Sequence, residues 1–187
     1  LMELLWTTEF VVAICAILVH VINYNLTAQV EHHTRCFTKI LGKNAVYYYA
    51  VYLVLSALVR DFLVHKDLEA NTHTLVLFSE DIAWISSTVL FVAGVLLNLW
   101  TLQALGIKGM YNGDSFGHLM KEPVTSGPYK YFQDPQYVGT TWCMLSSAIG
   151  YQSIHGYVLT IWLYIVFSIS VKFIEGPHMN RIYSNAN

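Results

Sequence analysis

Glu175 stands where the last apolar run of the chain gives out, directly after Phe173 and Ile174. A glutamate at a helix C-terminus opposes the macrodipole, so it gains little there as a stabiliser. It is either a solvated helix end or a group that binds something cationic, and ionisable residues at membrane depth lean towards function. The second concentration of polar residues runs from Gly106 to Gly139, GIKGMYNGDSFGHLMKEPVTSGPYKYFQDPQYVG. Its glycines Gly106, Gly109, Gly113 and Gly117 permit sharp turns or a close approach of backbone to a ligand, and spacing alone leaves both open. Polar stretches of this length are commonly functional or disordered. With Tyr111, Phe116, Tyr129, Tyr131, Phe132 and Tyr137, this one is too aromatic for disorder.

Other reactive residue types offer less. His32 and His33 read like a fragment of a zinc site, but no further ligand follows at a suitable spacing. A basic interfacial loop is expected there, and no metal. Cys15, Cys36 and Cys143 form no CxxC pair; Cys15 and Cys143 lie in apolar runs and are expected as reduced core residues. Asn25-Leu26-Thr27 fits a glycosylation sequon, yet it abuts the membrane on the face expected to be cytosolic. A net charge of −2 and a pI near 6.5 argue against a nucleic-acid partner.

The elements that must position these residues are membrane helices. Of the 187 residues, 55% are hydrophobic and 12% charged, with a mean hydropathy of +0.46; soluble domains carry about 25% charged residues. The length suits one domain. The chain begins at Leu1 rather than Met, which leaves room for a preceding segment such as a targeting sequence. Runs without formal charge extend over Phe10–Gln29, Asn44–Val59, Ile82–Ile107 and Pro135–Val171. The last is too long for one span, since a bilayer core of roughly 30 Å takes about 20 helical residues. Gly150, Gln152, Ser153, His155 and Gly156 mark where it turns back. The expected fold is all-α: a polytopic membrane helical bundle of three spans plus a C-terminal helical hairpin. Spans are expected over about 8–24, 44–62, 82–105, 136–150 and 156–174, with the connector over 106–135. The first hairpin arm is short and should lean on the second. The 13 tyrosines and 5 tryptophans include many at the run boundaries, as in an interfacial belt. Lys and Arg are slightly commoner in the first loop and the connector, which favours both, with the C-terminus, on the cytosolic side.

From about Gly94 to Tyr183 the chain resembles the phospholipid N-methyltransferases, part of a wider group of membrane methyltransferases that includes the isoprenylcysteine carboxyl methyltransferases. The resemblance lies in Leu105-Gly106 and in Gly109-x-Tyr111-x-Gly113-Asp114-x-Phe116-Gly117. Val124-Thr125 and Pro135-x-Tyr137-x-Gly139 follow, then Glu175, Pro177 and Ile182-Tyr183. A weaker echo covers Val30 to Arg35. Isoprenylcysteine enzymes share the Gly127-Pro128-Tyr129 and Pro135-x-Tyr137-x-Gly139 strings, but usually have His where this chain has Asp134, and lack the Gly113–Gly117 segment.

The resemblance implies S-adenosylmethionine as methyl donor. It implies the amino head group of phosphatidylethanolamine, or its N-methylated forms, as acceptor, on the way to phosphatidylcholine. The partner is then a membrane phospholipid substrate, reached sideways by a membrane-embedded enzyme. The endoplasmic reticulum membrane is the location implied, with a mitochondrial membrane as alternative. Gly94, Glu175, Gly109, Gly113, Gly117 and Tyr111 would bind the donor. Tyr137 would hydrogen-bond donor or head group, and Asp114 or His118 would accept a proton. The family's glycine pair in the third span is reduced to Gly94, with Val92 at the other position, and its glutamate pair to Glu175, with Gly176 following. A plant-type branch keeps one of each and shares the Asp134–Gly139 string. Two alternatives stay open: an isoprenylcysteine carboxyl methyltransferase-like enzyme, and a catalytically degenerate member serving as a structural subunit beside membrane-complex partners.

Overall fold

Lipid offers no hydrogen bonds to an exposed backbone, so a chain this apolar satisfies its amides within helices. The computed structural model of the protein describes residues 6–184, among which there is no strand. Its helices are α1 (Thr8–Thr34), α2 (Cys36–Leu41), α3 (Ala45–Ala70), α4 (Glu80–Met110), α5 (Pro135–Tyr151), α6 (Ile154–Ile169) and α7 (Gly176–Ser184). A π-helical turn, Ser170–Glu175, joins α6 to α7, and two 3₁₀ turns, Gly113–Phe116 and Gly127–Lys130, punctuate the connector. Four stretches are long and apolar enough to cross a bilayer: Thr8–Thr34, Cys36–Ala70, Glu80–Phe116 and Ile154–Ser184. The 17-residue α5 pairs with α6 as a hairpin, which gives the expected membrane helical bundle.

Three helices outrun their apolar stretches. α1 continues to Thr34, beyond the expected span end near 24, α3 to Ala70, beyond 62, and α4 to Met110, beyond 105. Hydropathy marks where lipid ends, and polar residues can continue a helix beyond it. α1 stops only at Arg35, in the left-handed region at φ 57°. The fully buried Glu31 then caps the next helix, accepting from the Phe37 and Thr38 amides and from the Thr38 hydroxyl. Within α4, Gly106 at φ 66° and ψ 173° kinks the last turn. Pro135 at the first position of α5 starts that helix with φ already set.

α5 leans mainly on α4 and only secondarily on α6, a correction to the expectation that its partner arm would hold it. The reason lies where α4 and α5 cross. A Cβ at Gly94 would stand 2.7 Å from both the Gly139 carbonyl and the Cys143 sulfur, and one at Gly139 would stand 2.9 Å from the Gly94 carbonyl. Small residues let two backbones approach this closely in lipid, where packing rather than water exclusion drives association.

Ile17, Val46, Leu68, Leu159 and Leu163 fill the centre, while Val51, Leu55, Val89, Leu96 and Ile161 point outward to lipid. Cys15 is also exposed rather than in the core, and Asn25 of the sequon is buried inside the bundle. At one end gather the loop after α1, the connector and α7: Arg35 Nη1 donates to the Ser115 carbonyl at 3.4 Å, and Ser115 Oγ bonds His178 Nε2 at 3.0 Å. The other end closes where Gln152, at φ 47°, turns the hairpin. Its Oε1 accepts from the Leu77 and Phe78 amides at 3.1 and 3.2 Å.

Candidate functional site

The π-helical turn determines what the end of α6 presents. An extra residue in the turn shifts the register of the side chains beyond it, and such bulges are frequent at functional sites. Here the turn carries Ser170 at one end and Glu175 at the other. Ser170 Oγ accepts from Asn25 Nδ2 at 2.7 Å and bonds Tyr24 OH at 2.9 Å, both from α1. Tyr24 OH lies 3.0 Å from Tyr137 OH on α5, and Tyr137 OH donates to Glu175 Oε2 at 2.5 Å. The result is a continuous polar chain, Ser170–Tyr24–Tyr137–Glu175, joining three helices. Phe167 stacks on the Tyr137 ring, with centroids 4.4 Å apart, and fixes its plane.

The connector supplies the opposite wall. Asp114 is buried and accepts from Tyr183 OH of α7 at 2.5 Å, and the same hydroxyl accepts from the Met120 amide at 3.1 Å. Glycine is required at Gly113, where a Cβ would run into the Lys108 carbonyl; at Gly109 a Cβ would meet only the movable end of the Met120 side chain.

Between these walls lies a cavity of about 1120 Å³. Tyr24, Tyr137, Glu175, Asp114, Tyr111 and Gly109 line its polar part. Leu53, Val54, Ala57 and Leu58 of α3 form an apolar flank, and His20 and Arg60 also reach the wall. α3 packs far less against α4 than α5 does, so the apolar flank sits beside a loosely packed seam between spans. On the connector side, burial and the Asp134 and Glu175 carboxylates raise the Tyr129 phenol to about 12, which keeps it a neutral donor. Burial also holds the Asp134 carboxyl above its ordinary range. Burial, together with Lys108 and Arg35, lowers the His118 imidazole.

The structure thus brings Glu175, Tyr137, Asp114, Tyr111 and Gly109 to one cavity and leaves other expected residues off its wall. Gly94 is buried in the α4–α5 crossing; Gly113 and Gly117 shape the connector turn, Gly117 at φ 85° beside Arg35; His118 lies outside the cavity. Val92 is 48% exposed on the outer face of α4 and blocks nothing. At Gly176 a Cβ would stand 2.7 Å from the Val171 carbonyl, so the π-helical turn itself favours glycine there. Sequence reading missed Tyr24, Arg60, His20 and Asp134. The arginine carried a signal: it follows directly on the charge-free run Asn44–Val59, in a helix that continues beyond it. The tyrosine of α1 carried none, because its meeting with Tyr137 depends on helix packing across 113 positions.

Comparison with known proteins adds a separate line of support. The sequence profile described as phospholipid methyltransferase matches residues 82–186. The chain is 53% identical over 179 residues to phosphatidylethanolamine N-methyltransferase B of Dictyostelium discoideum, covering 96% of this chain and 90% of that one. It is 30% identical to the phosphatidyl-N-methylethanolamine N-methyltransferase of Schizosaccharomyces pombe, over 94% of this chain and 90% of that one. The human phosphatidylethanolamine N-methyltransferase is 28% identical, over 94% and 88%. No solved structure matches the chain.

Proposed function

The chain belongs to the phospholipid methyltransferase family, and on that premise we propose that it transfers methyl groups from S-adenosylmethionine to the amino head group of phosphatidylethanolamine or its N-methylated forms. The observation that carries this reading is the joining, in one cavity, of an apolar flank on α3 to the polar centre around Glu175 and Tyr137. A lipid needs the first and a cationic donor the second. The endoplasmic reticulum is the membrane we assign, following the family.

The residues suit the donor. Glu175 is a carboxylate on the cavity wall, available to a charge-assisted hydrogen bond from the donor's α-ammonium. Gly109 brings backbone to the same wall. When bound, the donor supplies a methyl carbon on a positively charged sulfur, and transfer moves that charge to the acceptor nitrogen. No developing anion needs stabilising, so alignment and water exclusion are what the protein contributes. The Tyr137 hydroxyl, fixed by Glu175, Tyr24 and the stacked Phe167, holds the amine in position. The amine must attack as the free base, and Asp114, buried on the facing wall, accepts its proton. The seam between α3 and α4 admits the lipid from the bilayer, so its tails never leave an apolar surrounding.

The test is direct: purified protein with methyl-labelled S-adenosylmethionine and, separately, phosphatidylethanolamine and its mono- and dimethyl forms. Label in at least one lipid is expected. Label in none of the three would favour the degenerate, structural reading.

A further inference from the structure

Arg60 is an oddity of the bundle. It sits on α3 where the charge-free run Asn44–Val59 ends, within a stretch long and apolar enough to cross a membrane, and only 6% of its side chain is exposed. Its Nε and Nη2 both donate to Asp61 Oδ1, at 2.8 and 2.7 Å. Nη1 takes no partner among the described residues, and the side chain lines the cavity. Asp61, half exposed, thus orients the guanidinium from outside the cavity. An arginine at membrane depth is costly, faces an interior or a wet cavity, and marks a ligand path more often than a structural pair. A salt bridge alone would not require it to reach the cavity wall.

Its neighbours extend the pattern. His20 of α1 lines the same region, its Nδ1 held by Ser56 Oγ at 2.9 Å. In the tautomer where Ser56 donates to Nδ1, the ring proton sits on Nε2 and is a donor that an oxyanion can use. Ser56 is one helical turn from Arg60 on α3, and His20 is one turn from Tyr24 on α1. The His20 and Tyr24 rings are 5.8 Å apart, and Tyr24 bonds Tyr137. Along the cavity the order is therefore Arg60 and His20, then Tyr24 and Tyr137, then Glu175.

We propose that Arg60, aided by His20, binds the phosphodiester of the acceptor lipid and so sets the distance at which its amine meets Tyr137. The geometry of the head group agrees: its nitrogen stands two carbons and an oxygen beyond phosphorus, a reach comparable with one helical turn of about 5.4 Å. A planar guanidinium with an unengaged N–H edge matches a phosphate oxygen better than an ammonium would. Arg60 in this account is a positioning and selecting residue: it discriminates a phospholipid amine from any other membrane amine. The inference rests on the reading of the function given above.

The experiment compares two acceptors with the same acyl tails, phosphatidylethanolamine and a diacyl lipid bearing an aminoethyl ether without phosphate. Wild-type enzyme should use the phospholipid better by about 10- to 150-fold in kcat/KM, the range of one charge-assisted hydrogen bond. Arg60→Gln should lower kcat/KM for the phospholipid by a similar factor, leave the phosphate-free lipid unchanged, and leave KM for the donor unchanged. Arg60→Lys should recover part of the loss. Wild-type enzyme that methylates both acceptors equally would overturn the inference without any variant, while the function stands. An equal fall on both acceptors would make Arg60 structural. A raised donor KM with discrimination intact would give the guanidinium to the donor's carboxylate instead. Wild-type protein that labels no amine lipid would sink the functional reading itself, a distinct result.

Discussion

At the hairpin end of the bundle, Asp67, Asn71, Gln152 and His155 are buried and bond one another or nearby backbone. At the connector end, Tyr24, Tyr137 and Glu175 bond one another and Asp114 bonds Tyr183, but around open space. Asp67 Oδ1 takes His155 Nδ1 at 2.8 Å and Asn71 Nδ2 at 3.0 Å, Phe10 covers the imidazole at 4.3 Å between ring centroids, and none of them lines the connector-end cavity. Both ends pay the desolvation of polar groups. Only one keeps room for a guest. A buried acid therefore does not by itself mark a candidate site; an acid on a cavity wall does, and the variants below separate the two cases by what each changes.

The largest effect on binding is expected at Glu175. Glu175→Gln keeps the shape and still accepts from Tyr137, so it removes charge alone. A hydrogen bond to a charged group is worth about 1.5–3 kcal/mol, so affinity for S-adenosylmethionine should fall roughly 10- to 150-fold by calorimetry in detergent. Thermal unfolding should hardly change. Tight binding indifferent to the substitution would place the donor elsewhere. Adding a second acid with Gly176→Glu should weaken binding, because its Cβ would collide with the Val171 carbonyl and force the π-helical turn to rearrange.

Tyr137→Phe comes next. It deletes one hydroxyl that donates to Glu175 and bonds Tyr24. A neutral hydrogen bond contributes about 0.5–1.5 kcal/mol, so kcat/KM should drop roughly 2- to 12-fold. An unchanged rate would show that the tyrosine chain is only a brace between helices.

The hairpin end should behave in reverse. Asp67→Ala leaves His155 Nδ1 and Asn71 Nδ2 without their shared acceptor, a loss of about 1–3 kcal/mol in stability. Donor affinity and turnover per folded molecule should not move. A selective loss of turnover, with the melting point intact, would end the contrast between the two ends.

Much of this was legible beforehand, and the failures have physical causes. Charge-free runs located the spans because lipid tolerates little else, and Gln152 to Gly156 announced the hairpin because a 37-residue run cannot cross once. Helix ends were not legible from the runs because hydropathy reports the solvent and not the backbone: Glu31, Lys66 and Glu69 remain helical beyond the charge-free stretches. At the site, Glu175, Asp114 and Tyr137 could be singled out as polar residues in a recognisable string. Tyr24 could not, since no local pattern distinguishes a tyrosine facing a cavity from one facing lipid. The family resemblance made Gly94 a donor contact; what no local pattern announced is that its backbone also lies against Gly139 of the neighbouring helix.

The smallest effect is expected at Val92, the position where the family resemblance calls for glycine. Were Val92 on the cavity wall, its two methyls would crowd the donor, and Val92→Gly would raise affinity. Its side chain instead lies on the outward face of α4, 48% exposed, among Phe91, Leu96 and Val89, which also face lipid. The cavity is reached from α4 through Asn98, Leu105 and Gly109, on a different face of the helix. Val92→Gly should therefore leave donor affinity within a factor of about two, well under the 1.4 kcal/mol that a tenfold change requires. It should cost about 0.5 kcal/mol or less in stability, the difference in helix propensity between the two residues. Calorimetry on this variant beside wild type and Glu175→Gln decides the matter. A tenfold gain in affinity would mean that the donor reaches the outer face of α4, and that the cavity between α3, α5 and the connector receives the lipid alone.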